Sequence, residues 1–165
     1  MITIQKASLA DIIHIQSMAH SIWYKVYKDI ITISQIDYML DTLYSDASLE
    51  KQMKEGQQFF LATENGLYIG YAAVAPTLRE ETFKLEKLYV KPDIHKRGIG
   101  KKLLQAVEKY TKLHNGKIIT LQVNRQNKAV GFYQKMNFII DKETDVSIGN
   151  GYFMNDYIMI KTLIK

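Results

Sequence analysis

The chain of 165 residues contains no cysteine, two prolines and a single tryptophan. Without cysteine there is no disulfide, no thiolate nucleophile and no metal site built on sulfur. The four histidines, His14, His20, His95 and His114, show no ligand spacing of the His-Glu-x-x-His kind, so no metal is expected. No apolar run approaches the roughly 20 residues that a membrane helix needs. The opening Met1-Ile2-Thr3-Ile4-Gln5-Lys6 does not read as a signal peptide, and a cytoplasmic protein without a membrane partner is the expectation. Repeats, low-complexity segments and linkers are also lacking, so residues 1–165 read as one domain.

What is present is ordinary globular composition, 47% hydrophobic and 24% charged. The net charge of +5 could point to nucleic acid, but the lysines are dispersed and form neither an arm nor a stripe. A polyanionic small molecule or plain solubility accounts for that balance equally well.

Taken in order, residues 2–6 read as a strand. Ser8 and Asp11 resemble a helix cap before Ile12, Ile15, Met18, Ala19 and Ile22 at helical spacing. A second amphipathic helix follows Ser34, with Ile36, Met39, Leu40 and Leu43, and a further helical turn runs from Ser48 towards Gly56. Between them lie Trp23, Tyr24, Tyr27, Tyr38 and Tyr44, interleaved with Asp29, Asp37 and Asp41. Asn65-Gly66 between the apolar runs 57–63 and 67–75 is a strong hairpin signal, and Pro76 closes the second run. Later elements are a strand over 83–90, a helix over about 98–114, a strand over 117–123 and a helix over 127–136. Two last strands, near 138–147 and 152–163, flank Gly149-Asn150-Gly151.

The most informative stretch is 83–105. Leu85, Leu88, Tyr89 and Val90 supply a buried strand that ends before Pro92. Gly98 and Gly100 bracket Ile99 where a helix begins, among Lys96, Arg97, Lys101 and Lys102. Backbone N–H groups at a helix start lack internal partners and carry partial positive charge, and glycine lets a phosphate approach them. The chemistry predicted is pyrophosphate binding. A dinucleotide fingerprint would need glycine at Leu103, and no P-loop Gly-Lys-Ser/Thr string is present.

This stretch resembles the acetyl-CoA signature of the GNAT superfamily of N-acetyltransferases: Leu88-Tyr89-Val90, a short turn, then His95-Lys96-Arg97-Gly98-Ile99-Gly100. His95 stands where the family usually has Gln or Arg. The block 118–138 resembles the family's next strand and helix, with Asn127, Ala129, Phe132, Tyr133, Lys135 and Phe138 in place and Asn137 for the usual glycine. The resemblance covers essentially the whole chain. It implies an α/β fold with a mixed sheet of six or seven strands, helices on both faces, and a splay between the strands at 83–90 and 117–123. It implies acetyl-CoA as co-substrate. The pantetheine arm would pair along Leu88, Tyr89 and Val90, the pyrophosphate would sit over His95, Lys96, Arg97, Gly98, Ile99, Gly100 and Lys101, and Asn127, Ala129 and Tyr133 would complete the cofactor contacts.

It further implies direct transfer of acetyl to an amine, with Tyr133 as the acid that protonates the leaving thiolate; with no cysteine, an acetyl-cysteine intermediate is excluded. For the base, family members often carry Glu at the position that is Lys84 here. That leaves Glu86, directly or through water, or a water chain to solvent, and a bulge would change the face Glu86 occupies. Trp23 and Tyr27, four apart on one helix face, are the acceptor-binding candidates, by cation–π contact, against a packing role. The run 151–159 resembles GNAT proteins that acetylate polyamines. The acceptor stays open among a polyamine, another small amine and a protein N-terminus, and a homodimer would be usual for the family. A CoA-binding protein without catalysis is a further reading, which Tyr133 argues against. A nucleic-acid binder would instead show steep salt dependence and no thiol release.

Overall fold

The computed structural model describes residues 1–94 and 97–163. Short apolar runs rich in β-forming residues produce one sheet of seven strands. In chain order the elements are β1 (Ile2–Lys6), α1 (Ile12–Tyr27), α2 (Ile33–Tyr44), α3 (Asp46–Lys54), β2 (Gln58–Glu64), β3 (Leu67–Pro76), β4 (Thr82–Val90), α4 (Ile99–Leu113), β5 (Ile118–Asn124), α5 (Ala129–Lys135), β6 (Ile139–Gly149) and β7 (Tyr152–Thr162). The spatial order is β1-β2-β3-β4-β5-β7-β6. Neighbours are antiparallel except β4 and β5, which run parallel. No helix among the described residues is long and apolar enough to cross a membrane.

The turns follow from side-chain chemistry. Asn65 (φ 52°) and Gly66 (φ 77°) make the doubly left-handed hairpin turn between β2 and β3. Asn115 and Asn137 take φ of 63° and 72° just past the ends of α4 and α5, so Asn137 does the work of the glycine it replaces. The second helix starts earlier than the sequence suggested. Thr32, not Ser34, caps it by accepting the Gln35 N–H, and Ile33 is the first helical residue.

Each sheet face buries its own core. Ile99, Leu103, Leu104 and Val107 of α4 pack on Leu85, Ile119, Leu121 and Val123. On the other face Ile15, Ala19, Ile22, Ile36, Leu40 and Tyr44 pack on Phe59, Leu61, Tyr71 and Ala73. Fully burying each such aliphatic side chain contributes about 1.5–3 kcal/mol.

Two irregularities in β4 shape the middle of the sheet. Ala73 faces Lys87 while Val74 faces Leu85, so Glu86 is an extra residue, a β-bulge. The bulge shifts the alternation by one: Phe83 and Leu85 reach the α4 core, and so do Leu88 and Val90. Lys87 and Tyr89 turn to the opposite side, where Lys87 meets Gln52 and Gln57 and Tyr89 joins the α1–α2 core. The second irregularity is the splay. β4 and β5 pair only from Thr82↔Ile118 to Leu85↔Leu121. Beyond Leu121, β5 stays with β7 as far as Asn124↔Asp156, while β4 continues along β3 to Gly70↔Val90. From Glu86 onward β4 has no β5 partner, and a wedge opens between the two strand ends.

Candidate active site

The candidate site is the wedge that opens where β4 and β5 part. On its β4 side, residues 86–89 lie beyond the last β5 pairing at Leu85↔Leu121 and turn that edge towards the gap, where an extended ligand chain can add as a strand. Leu88 and Val90 anchor that edge by packing towards α4. Tyr89 points the other way, and its hydroxyl lies 3.0 Å from that of Tyr27.

At the foot of β4 the two glycines serve different ends. Gly98 is left-handed (φ 75°), and a Cβ built there would meet nothing within 4 Å, so the space over the helix start is open. Gly100 allows close helix contact, since a Cβ there would lie 3.3 Å from Phe132 Cζ. Ile99 is buried in the core and offers a ligand only its backbone, whereas Lys101 is exposed. The free N–H groups of a 15-residue helix, with open space above Gly98, fit a pyrophosphate. Arg97 is committed differently from expectation. Its guanidinium forks onto Glu64 at 2.6 and 2.7 Å, which holds the Glu64 carboxyl below its usual range. His95 and Lys96 lie outside the described residues.

From β5 the chain turns into α5 through Asn127, whose Oδ1 accepts the Ala129 N–H. The Asn127 side chain also lies against the Tyr27 hydroxyl, so it links the start of α5 to α1. On α5, the Tyr133 ring packs edge-on against Phe132 and Phe138 and is 7% exposed. Its hydroxyl makes no hydrogen bond among the described residues. Burial pushes the phenol well up, with the Tyr27 hydroxyl adding to the shift, so Tyr133 keeps its proton.

Trp23 and Tyr27 share a face, as their spacing implied, but that face looks inward. Trp23 is 3% exposed and Tyr27 4%. The indole packs on Tyr27, Tyr44 and Tyr89, with ring centroids 4.7, 5.8 and 5.6 Å away. Trp23 therefore has almost no ring face left for an acceptor, which makes it a packing residue. Tyr27 alone of the pair reaches the wedge, through its hydroxyl.

Two carboxylates belong to the strand ends that border the wedge, Glu86 just past the last β4–β5 pairing and Asp156 opposite Asn124. Glu86 lies 3.6 Å from Lys84 Nζ, which also donates to Gln122 Oε1 at 2.8 Å. The charge of Glu86 thus has a counter-ion. Asp156, which the sequence reading passed over, does not. It is 7% exposed, and among the described residues its buried Oδ1 has no partner and its side chain no hydrogen bond. Burial raises its carboxyl to about 6, although Lys84 and Arg125 pull the other way. The signal was there to find: Asp156 stands in phase with Met154 and Ile158, an acid on the inward side of an alternating strand. Lys87 was also unforeseen. Buried over the Tyr44 and Phe59 rings and bonded to Gln52 and Gln57, it is pulled down to about 8 by burial.

Comparison with known proteins agrees with this geometry. The acetyltransferase (GNAT) domain profile matches residues 30–155. An uncharacterized N-acetyltransferase of Methanocaldococcus jannaschii is 30% identical over 54% of this chain, a stretch that spans 42% of that protein's own length. The spermidine N(1)-acetyltransferase of Thermoplasma acidophilum is 28% identical over 97% of this chain and 96% of its own. Among solved structures, the PaiA N-acetyltransferase of Thermoplasma acidophilum in complex with coenzyme A superposes with a TM-score of 0.83 at 26% identity, covering 99% of both chains. The sheet, the splay and the profile match together show that the chain belongs to the GNAT acetyltransferase family.

Proposed function

We propose that the protein is an N-acetyltransferase that passes the acetyl group of acetyl-CoA directly to a primary amine held in the wedge between β4 and β5. The observation that carries this reading is Tyr133: a buried phenol, kept protonated, with no partner for its hydroxyl among the described residues. Bound acetyl-CoA supplies the activated thioester. The β4 edge along Leu88, Tyr89 and Val90 holds the pantetheine arm as an added strand, and the N–H groups over Gly98–Lys101 hold the pyrophosphate. Asn127 and Ala129 line the other side of the arm. Tyr133 donates its proton to the departing sulfur as the new C–N bond forms. Holding both reactants in one wedge replaces a collision by a positioned encounter, worth on the order of 7–11 kcal/mol in favourable cases.

For the acceptor we propose a polyamine or a similar small amine. The full-length likeness to a spermidine N(1)-acetyltransferase supports this, as does the presence of two carboxylates on the strand ends that border the wedge. The test is CoA release from acetyl-CoA, followed with a thiol reagent, across spermidine, an aminoglycoside, amino acids and peptides with free N-termini. The absence of cysteine keeps the background low. Saturable release with spermidine supports the reading. Release with peptides alone moves the acceptor to a protein N-terminus, and release with none contradicts transfer to these amines.

A further inference from the structure

We propose that Asp156 is the acceptor-binding carboxylate of this site: its Oδ1 receives an N–H of the incoming ammonium group and takes the proton that the amine sheds before it attacks. This rests on the acetyl-transfer reading above and assigns the acceptor side of the same wedge.

Position is the first support. Asp156 pairs with Asn124, the last residue of β5, at the level where β4 has already separated. Its carboxylate therefore occupies the mouth of the wedge and not a closed part of the sheet. The Tyr27 hydroxyl, tied to that of Tyr89, is close enough to feel its charge.

The second support is an unmet requirement. A buried carboxylate oxygen without a donor is costly, and native structures seldom leave one. Among the described residues, the two cations that act on Asp156, Lys84 and Arg125, are engaged elsewhere. Lys84, from β4, bonds Gln122 and lies 3.6 Å from Glu86. Arg125, in the turn after β5, donates at 2.8 Å to Asp145 of β6 and lies 3.6 Å from Glu143; it reaches only the backbone carbonyl of Asp156, at 3.4 Å. Tyr27 supplies an uncharged hydroxyl from α1. A negative, desolvated oxygen facing a ligand cleft, with its neighbouring cations held away, selects a positively charged donor. A primary ammonium supplies both the hydrogen bond and the compensating charge, whereas a neutral amide supplies the hydrogen bond alone.

The chemistry balances. Of three ammonium protons, one passes to Asp156 and on to solvent, one replaces the proton that Tyr133 gives to sulfur, and one stays on the amide nitrogen. Asp156, with its carboxyl raised to about 6, is a stronger base than an ordinary aspartate yet still ionised at neutral pH. Both properties suit this task.

The test compares wild type with Asp156→Asn, an isosteric change. Acetyl-CoA is titrated into each protein by calorimetry, and spermidine is titrated into each protein saturated with CoA, which cannot react. The expected result is equal acetyl-CoA affinity in the two proteins, with spermidine affinity reduced at least about tenfold in the variant. Amine-dependent kcat/KM should fall about 100-fold and its acidic limb near pH 6 should vanish. Equal behaviour towards spermidine in the two proteins, including no binding by either, overturns the assignment, as does an acidic limb that survives in the variant. Failure of the wild type to bind acetyl-CoA overturns instead the reading on which the assignment rests.

Discussion

The hydroxyls of Tyr27 and Tyr89 meet at 3.0 Å, joining the helix α1 to the C-terminal end of β4. One residue belongs to the strand edge proposed for the cofactor, the other to the helix beside the proposed acceptor carboxylate. Both phenols are pushed up by burial, so the pair stays neutral and acts as a brace. Tyr27→Phe leaves the Tyr89 hydroxyl without this partner. It should lower stability by about 1 kcal/mol, read by urea denaturation, and leave acetyl-CoA affinity unchanged. A variant as stable as wild type would show that the brace carries no weight.

Tyr133→Phe separates chemistry from packing. The ring contacts with Phe132 and Phe138 remain, and the lost hydroxyl has no partner among the described residues. Stability should stay within about 0.5 kcal/mol of wild type, while kcat falls about 100-fold. Because burial raises this phenol above the usual tyrosine range, the wild-type rate should show no alkaline loss from it up to about pH 9.5. A variant with undiminished kcat would remove Tyr133 from the reaction.

The two glycines should fail differently when each becomes alanine. Gly98 has open space but a left-handed φ of 75°, so Gly98→Ala should cost about 1 kcal/mol of strain and weaken CoA binding out of proportion. Gly100→Ala pushes on Phe132 Cζ at 3.3 Å and should chiefly shift α5, lowering kcat through Tyr133. Calorimetry with CoA and steady-state rates distinguish the two. Equal loss of CoA affinity in both variants would contradict the division of labour.

Asp156 also makes a stability prediction. Its carboxyl is raised from 3.8 to about 6 on folding, so the folded state holds the proton more tightly. The stabilisation that this proton linkage provides is fully present below about pH 4 and is lost as pH rises to about 6, amounting to as much as 3 kcal/mol. Asp156→Asn does not titrate. Its stability relative to wild type should therefore increase between pH 4 and 6 and stay level above. Denaturation at pH 4.5 and 7.5 checks this; an equal difference at both pH values would rule out the raised carboxyl.

Much of this fold was legible because its signals are local. Asn65-Gly66, Asn115 and Asn137 take the positive φ that their side chains tolerate, and Leu103, Leu104 and Val107 bury the stripe their spacing describes. What was hidden depends on residues far apart in the chain. The splay, a loss of pairing between β4 and β5, was expected only through the family resemblance, because periodicity in either strand cannot report it. The bulge at Glu86 is a mismatch with β3, visible only in the register of both strands. The four-residue spacing of Trp23 and Tyr27 defined a shared face but not its direction, and the sheet rather than the cleft turned out to lie against the indole. Asp156 carries meaning only because Asn124 sits opposite it at the end of a strand whose other neighbour has left.

The most direct test of the central claim is mass spectrometry of one incubation containing the protein, acetyl-CoA and a mixture of spermidine, an aminoglycoside, an amino acid and a peptide with a free N-terminus. Direct transfer in the wedge predicts that an amine, spermidine foremost, gains a single acetyl group while the intact protein mass does not change. If no amine is acetylated, or if the label accumulates on the protein as a turnover intermediate, the account is contradicted.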